Sequence, residues 1–149
     1  GTVLVNDLRS GTYNSNPWSQ ADVNGTLYFQ ANDGSHAGEL WKSDGTSSGT
    51  VLVNDLRPGS DGSYPQPLVN VNGTLYFSST DGSTGLELWK SNGTATGTML
   101  VADIAPGSLA SLPVHLTAVG NSLFFEANDL INGNDEGLLA LHGDVTGLI

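Results

Sequence analysis

Apolar and polar positions alternate along this chain in short runs, and the runs return with a fixed period. Gly38-Glu39-Leu40-Trp41-Lys42-Ser43-Asp44-Gly45-Thr46-Ser47-Ser48-Gly49-Thr50 leads into Val51-Leu52-Val53-Asn54-Asp55-Leu56. Forty-eight residues later Glu87-Leu88-Trp89-Lys90-Ser91-Asn92-Gly93 leads by the same steps into Met99-Leu100-Val101-Ala102-Asp103-Ile104. The chain opens on Thr2-Val3-Leu4-Val5-Asn6-Asp7-Leu8, the same run again. Three repeats therefore tile the sequence as one domain, 1–48, 49–96 and 97–149.

Each repeat predicts four strands. A β-rich run comes first (Thr2–Leu8, Thr50–Leu56, Thr98–Ile104), then a loop with Pro17, Pro65 or Pro113. A short strand ends near Val23, Val71 or Val119, followed by Asn24-Gly25, Asn72-Gly73 or the reversed Gly120-Asn121. Asn-Gly between β-prone runs predicts a two-residue hairpin, because that turn needs positive φ at both central positions. The returning arm is Thr26-Leu27-Tyr28-Phe29 and its two copies, and the Glu-Leu-Trp strand closes the unit. No segment reads as a helix, since Gly and β-branched residues are spread throughout. Both faces of these strands are apolar, as in sheets covered on both sides.

A four-stranded unit of this period predicts an all-β, propeller-like fold with three antiparallel blades per chain. Closed propellers hold about four to eight blades. Gly137 to Ile149 aligns with Glu39 to Val51, so the chain stops where another Val-Leu-Val strand would begin. Completion is therefore expected from another chain or by strand exchange between termini, with a longer array as the alternative. Thr2, Val3, Leu4 and Val5 would be the donor strand, and Leu138, Leu139 and Leu141 the acceptor edge. The expected product is a homo-oligomer, a ring or a filament.

Charge narrows the partners. Fifteen acidic residues face four basic ones, for a net charge of −11, which disfavours nucleic acid and anionic membranes. No apolar run approaches the roughly 20 residues of a membrane-spanning helix. There is no cysteine, so disulfides and thiolate metal sites are excluded. The Gly-, Ser-, Thr- and Asn-rich composition suits an extracellular or cell-surface protein.

Glu39-Leu40-Trp41-Lys42-Ser43-Asp44-Gly45-Thr46 resembles the signature of the ELWxxDGT repeat family of bacterial surface and secreted proteins, and the copy from Glu87 differs by Asn92. The third repeat departs from it, with Leu138-Leu139-Ala140-Leu141-His142-Gly143-Asp144 in place of the Trp-containing run. The resemblance implies an extracytoplasmic, multi-repeat, propeller-like protein and no reaction.

Candidate chemistry is sparse. Trp41 and Trp89 recur at one strand position and are expected to pack between blades, with sugar stacking as the alternative. Trp18 is placed in a Pro-containing loop where the second repeat has Gln66, so with Tyr13 and Tyr64 it is a candidate carbohydrate contact. The recurring Asp33, Asp81 and Asp129, the first two followed by glycine, are expected to cap turns. With Asp135 they are also candidate Ca²⁺ ligands, although neither the helix–loop–helix nor the nonapeptide calcium spacing is present. His36, His115 and His142 have no zinc spacing. No nucleophile elbow or phosphate loop occurs, and carboxylates that recur with every repeat are poor catalytic candidates, so no enzyme is expected.

Overall fold

The alternating runs form strands where the pattern places them. The structure, a computed structural model, describes residues 1–130 and 136–142. These form eleven strands and no helix. β1 (Trp18–Val23), β2 (Thr26–Ala31), β3 (Glu39–Ser43) and β4 (Val51–Asn54) make one antiparallel sheet in chain order. β5 (Gln66–Val71), β6 (Thr74–Ser79), β7 (Glu87–Ser91) and β8 (Met99–Ala102) make the second in the same order. β9 (Val114–Val119), β10 (Ser122–Asn128) and β11 (Glu136–His142) make the third.

Each sheet thus begins midway through a sequence repeat, and the first two take their fourth strand from the start of the next. The first strands β1, β5 and β9 lie side by side, and the fourth strands are farthest from them. The β1–β2 and β5–β6 turns are Asn-Gly with both residues at positive φ (54° and 83°, 50° and 84°). The hairpin reading of those dipeptides therefore holds.

Side-chain alternation decides which sheet meets which. On β2, Tyr28 points with Val23, Leu40 and Val53 into a cluster completed by Leu68, Leu75, Phe77 and Trp89 of the second sheet. On β6, Tyr76 takes the opposite face with Val71 and Leu88, meeting Leu123, Phe125 and Leu141 of the third sheet. The middle sheet is therefore covered on both faces, which is why its strands are apolar on both. Trp41 and Trp89 are both buried, but only Trp89 packs between sheets as expected, whereas Trp41 packs with Phe29 and Ala31 of its own sheet and with Leu8.

One expectation needs correction. Thr2–Leu8 forms no strand: unlike its counterparts in β4 and β8, it joins none of the three sheets. The third sheet has three described strands, the outer one expected from elsewhere being absent among the described residues, and residues 143–149 lie outside them.

Candidate functional site

The joints between sheets are built by a few polar residues of the repeated motif. Glu39 and Glu87 are fully buried at the start of β3 and β7. Ser63 donates to Glu39 from its N–H (2.7 Å) and its hydroxyl (2.5 Å), and Leu56 N–H donates at 3.2 Å. Glu87 accepts the same set from Ser111 N–H (2.9 Å), Ser111 Oγ (2.6 Å) and Ile104 N–H (3.0 Å), with Ala105 N–H at 3.3 Å. Each carboxylate therefore ties down the connection running from a fourth strand to the first strand of the following sheet. Burial pushes the Glu39 carboxyl above its ordinary range, the Ser63 and Leu56 donors pull it back, and Asp55 adds to the rise. Gly137 occupies this place in the third sheet, since it pairs with Ala127 as Glu39 pairs with Ala31.

The Ser-Asp-Gly-Thr stretch is a self-bonded loop. Asp44 Oδ1 accepts from Thr46 N–H and Oγ1 (2.9 and 2.7 Å), and Gly49 N–H donates to Thr46 Oγ1. Asn92 Oδ1 does the same for Thr94 (3.1 and 2.7 Å), so an acceptor oxygen is all the position requires. Across the joint, Lys42 Nζ donates to Gly93 O at 2.8 Å, and a methyl group on Gly93 would collide with the Tyr28 hydroxyl.

The outer sheets present unmatched copies of this joint. Leu75 and Leu123 are 0% and 1% exposed, but the equivalent Leu27 is 41% exposed. Val23 and Val71 are 7% and 6% exposed, against 57% for Val119. Leu40 and Leu88 are both 0% exposed, against 75% for Leu138. A groove of about 430 Å³ runs over the first sheet's face, lined by Leu8, Leu27, Phe29 and Gly45 among others. Its Gly45 is the counterpart of Gly93, the seat of the Tyr28 ring.

The opening segment lies against the first sheet as residues 51–57 lie against the second. Asn6 Nδ2 donates to Ser47 O at 3.2 Å, as Asn54 Nδ2 donates to Ala95 O at 3.3 Å. Arg9 approaches Gly34 as Arg57 approaches Gly82. Thr2, Val3, Leu4 and Val5 are exposed. Of the expected acceptor residues, Leu138 is on the open face, whereas Leu141 is buried against the second sheet and Leu139 packs on the same cluster.

The other candidates are placed as follows. Trp18 is half-exposed and its indole N–H donates to Gln30 Oε1 at 3.2 Å. Tyr64 lies near it: a methyl on Gly38 would stand 2.6 Å from the Tyr64 ring and 2.8 Å from Gln30 Nε2. Tyr13 is elsewhere, under the Arg9 guanidinium at 4.9 Å. Asp33 and Asp81 cap their own loops, Asp33 through Ser35 and His36 N–H and Asp81 through Ser83 and Thr84 N–H. Those bonds hold both carboxyls below their ordinary range, against the opposing effect of burial. His36 Nδ1 lies 2.8 Å from Asp33 Oδ2, and that bond raises the imidazole's pKa. Among the described residues no three His, Asp or Glu side chains converge on one point; Asp129 is half-buried, and Asp135 lies outside those residues.

The buried Glu–Ser joints escaped the sequence reading. A signal for them exists, because Glu and Ser recur at one offset as Glu39/Ser63 and Glu87/Ser111. No helix among the described residues is long and apolar enough to cross a membrane. No protein-family model matches the chain, and no curated protein or solved structure is significantly similar to it.

Proposed function

We propose that the protein is a self-assembling, propeller-like repeat module that joins copies of itself head to tail, repeating between chains the joint it makes within one. The observation that carries this reading is the exposure of Leu27, Val119 and Leu138 at positions buried wherever a neighbouring sheet is present. The third sheet's Val119/Leu138 face repeats the face that the first sheet turns toward the second. The first sheet's Leu27/Gly45 face repeats the one the second sheet turns back. A second copy therefore supplies the complementary surface, with its Phe124, the counterpart of Tyr28, directed at Gly45.

The same operation supplies a strand. β4 pairs with β3 as Val51 with Lys42, Leu52 with Trp41 and Asn54 with Leu40. By the repeat offset, residues 3–6 of one copy would pair along β11 of the other, Val3 with Ala140, Leu4 with Leu139 and Asn6 with Leu138. Such strand addition takes affinity from main-chain bonds and register from alternate side chains. The energetics favour it. Burying the three exposed aliphatic residues contributes about 4–6 kcal/mol, only the lower end of the ~4–15 kcal/mol lost as freedom of motion on association. Because Gly137 replaces the buried glutamate, the joint between chains lacks that anchor and is weaker than the joints within one.

Two copies bring six sheets together, within the about four to eight of closed propellers. The resemblance of the Glu-Leu-Trp motif to surface and secreted repeat proteins supports an extracellular setting. The test uses two variants at exposed positions, Leu27→Arg and Leu138→Arg, with mass measured by light scattering. The wild type should exceed the 15.4 kDa of one chain. Each variant alone should be monomeric, and an equimolar mixture should recover a pair through its one intact joint. A monomeric wild type, or a mixture that stays monomeric, rules the reading out.

A further inference from the structure

The leucine and phenylalanine positions of the second strands repeat in all three sheets, but the positions around one cleft do not. The cleft, of about 520 Å³, opens where the first strands β1, β5 and β9 begin, and Trp18, Gln66, Pro67, Ser78, Val114 and His115 line it. Trp18, Gln66 and Val114 are equivalent positions, as are Ser19, Pro67 and His115. On the second strands Gln30, Ser78 and Glu126 face them. Leu27, Leu75 and Leu123, or Phe29, Phe77 and Phe125, show no such divergence. Each first strand also carries a bulge at this point, a device that re-aims side chains beside binding sites. Packing does not dictate what stands here.

The polar groups are unevenly satisfied. Trp18 donates to Gln30 in the first sheet, and His115 Nδ1 lies 3.1 Å from Glu126 Oε2 in the third. In the middle sheet Ser78 is 1% exposed and its hydroxyl has no hydrogen-bond partner. A buried unpaired hydroxyl costs about 1–3 kcal/mol, and such a group calls for a partner. The rest of the lining mixes polar groups, Ser19, Gln66 and His115, with the apolar Pro67, Leu86, Pro113 and Val114.

We propose that this cleft binds one neutral pyranose ring, with its C–H face on the Trp18 indole and one hydroxyl bonded to Ser78 Oγ. A sugar offers an apolar face together with hydroxyls, matching the mixed apolar and polar lining. The Trp18 ring is 56% exposed yet held by its bond to Gln30, so it is presented ready for stacking. His115, tied to Glu126 through Nδ1, keeps Nε2 for a second hydroxyl. The net charge of −11 disfavours acidic or sulfated sugars. The volume falls in the roughly 300–1,000 Å³ range of small-molecule sites. The cleft is built within one chain and is independent of association between copies.

The test is a titration of the 149-residue chain with methyl glucoside, galactoside, mannoside and N-acetylglucosaminide, followed by the tryptophan side-chain N–H resonances. At least one sugar should move the Trp18 signal with millimolar affinity and leave the buried Trp41 and Trp89 unmoved. Ser78→Ala should weaken that binding about tenfold, equivalent to ~1.4 kcal/mol, without lowering thermal stability, since it removes no existing bond. Trp18→Ala should abolish binding, and Tyr13→Ala, which does not line the cleft, should leave it intact. The proposal is overturned if no sugar shifts the Trp18 signal, if Ser78→Ala binds as tightly as wild type, or if Tyr13→Ala is the variant that loses binding.

Discussion

At the scale of single residues, the fold depends on a group that composition would place on the surface. Glu39 sits without solvent contact and accepts from Ser63 and Leu56. Replacing it by Gln turns two NH₂ hydrogens toward groups that are themselves donors, which should cost about 1–3 kcal/mol, or several degrees in Tm. The pH dependence has a definite sign. A carboxyl whose folded pKa is raised contributes stability below its unfolded value of about 4.5, and that contribution is lost as pH climbs through the folded value. The Tm advantage of wild type over Glu39→Gln should therefore widen from pH 7 to pH 5, read by paired thermal melts. A narrowing advantage would mean that the carboxylate, not the acid, is what the joint prefers. Little of this was legible in the chain. Glu39 lies next to Leu40 and Trp41 in an obvious strand, but its partner Ser63 is 24 residues away in a loop without strand alternation, marked only by its return as Ser111. The partners of a buried polar group are set by tertiary proximity, which alternation does not encode. Trp41 and Trp89 were legible because large aromatics in a two-sided apolar strand have few places to go but the interior.

At the scale of elements, the joint between sheets is a ring seated on a glycine. Gly45 and Gly93 follow the same motif and share a backbone conformation, with φ of 90° and 85°. Alanine at either position meets the same left-handed strain, about 1–2 kcal/mol. Only Gly93 also faces Tyr28, whereas a methyl on Gly45 meets nothing within 4 Å. Gly93→Ala should therefore lose about 1–3 kcal/mol more than Gly45→Ala, the usual penalty of overpacking. Denaturant melts of the two variants at low concentration isolate that difference. Equal losses would show that the Tyr28 ring slides away freely and that the sheets are loosely seated. The strands and Asn-Gly turns of these elements were readable from alternation and from the φ demands of the turn. The order in which sheets meet was readable only in part. Two apolar faces announce two neighbours, yet Thr2–Leu8 has strand composition and forms no strand, joining none of the three sheets.

At the scale of the molecule, two opposing effects decide whether copies join. Each chain carries −11, so bringing two together is resisted by like charge at every separation the solvent leaves unscreened. The faces that would meet carry Leu27 on one side and Val119 and Leu138 on the other, all exposed and uncharged. An association driven by apolar burial and strand pairing against net repulsion strengthens with salt, because screening removes only the repulsion. Raising salt from about 0.03 M to about 0.3 M shortens the Debye length from roughly 17 to 6 Å. The dissociation constant, measured by sedimentation velocity, should fall across that range. An interface held by ion pairs would respond in the opposite sense, and a rising constant would transfer the explanation to charge. Leu4→Pro separates the remaining two contributions. Residue 4 is 81% exposed and belongs to no ladder within the chain, so the fold of the monomer should be untouched. Proline strips one donor and stiffens the strand that β11 would receive. Association should weaken markedly while keeping its salt response, whereas unchanged affinity would leave face-to-face packing as the only joint between chains.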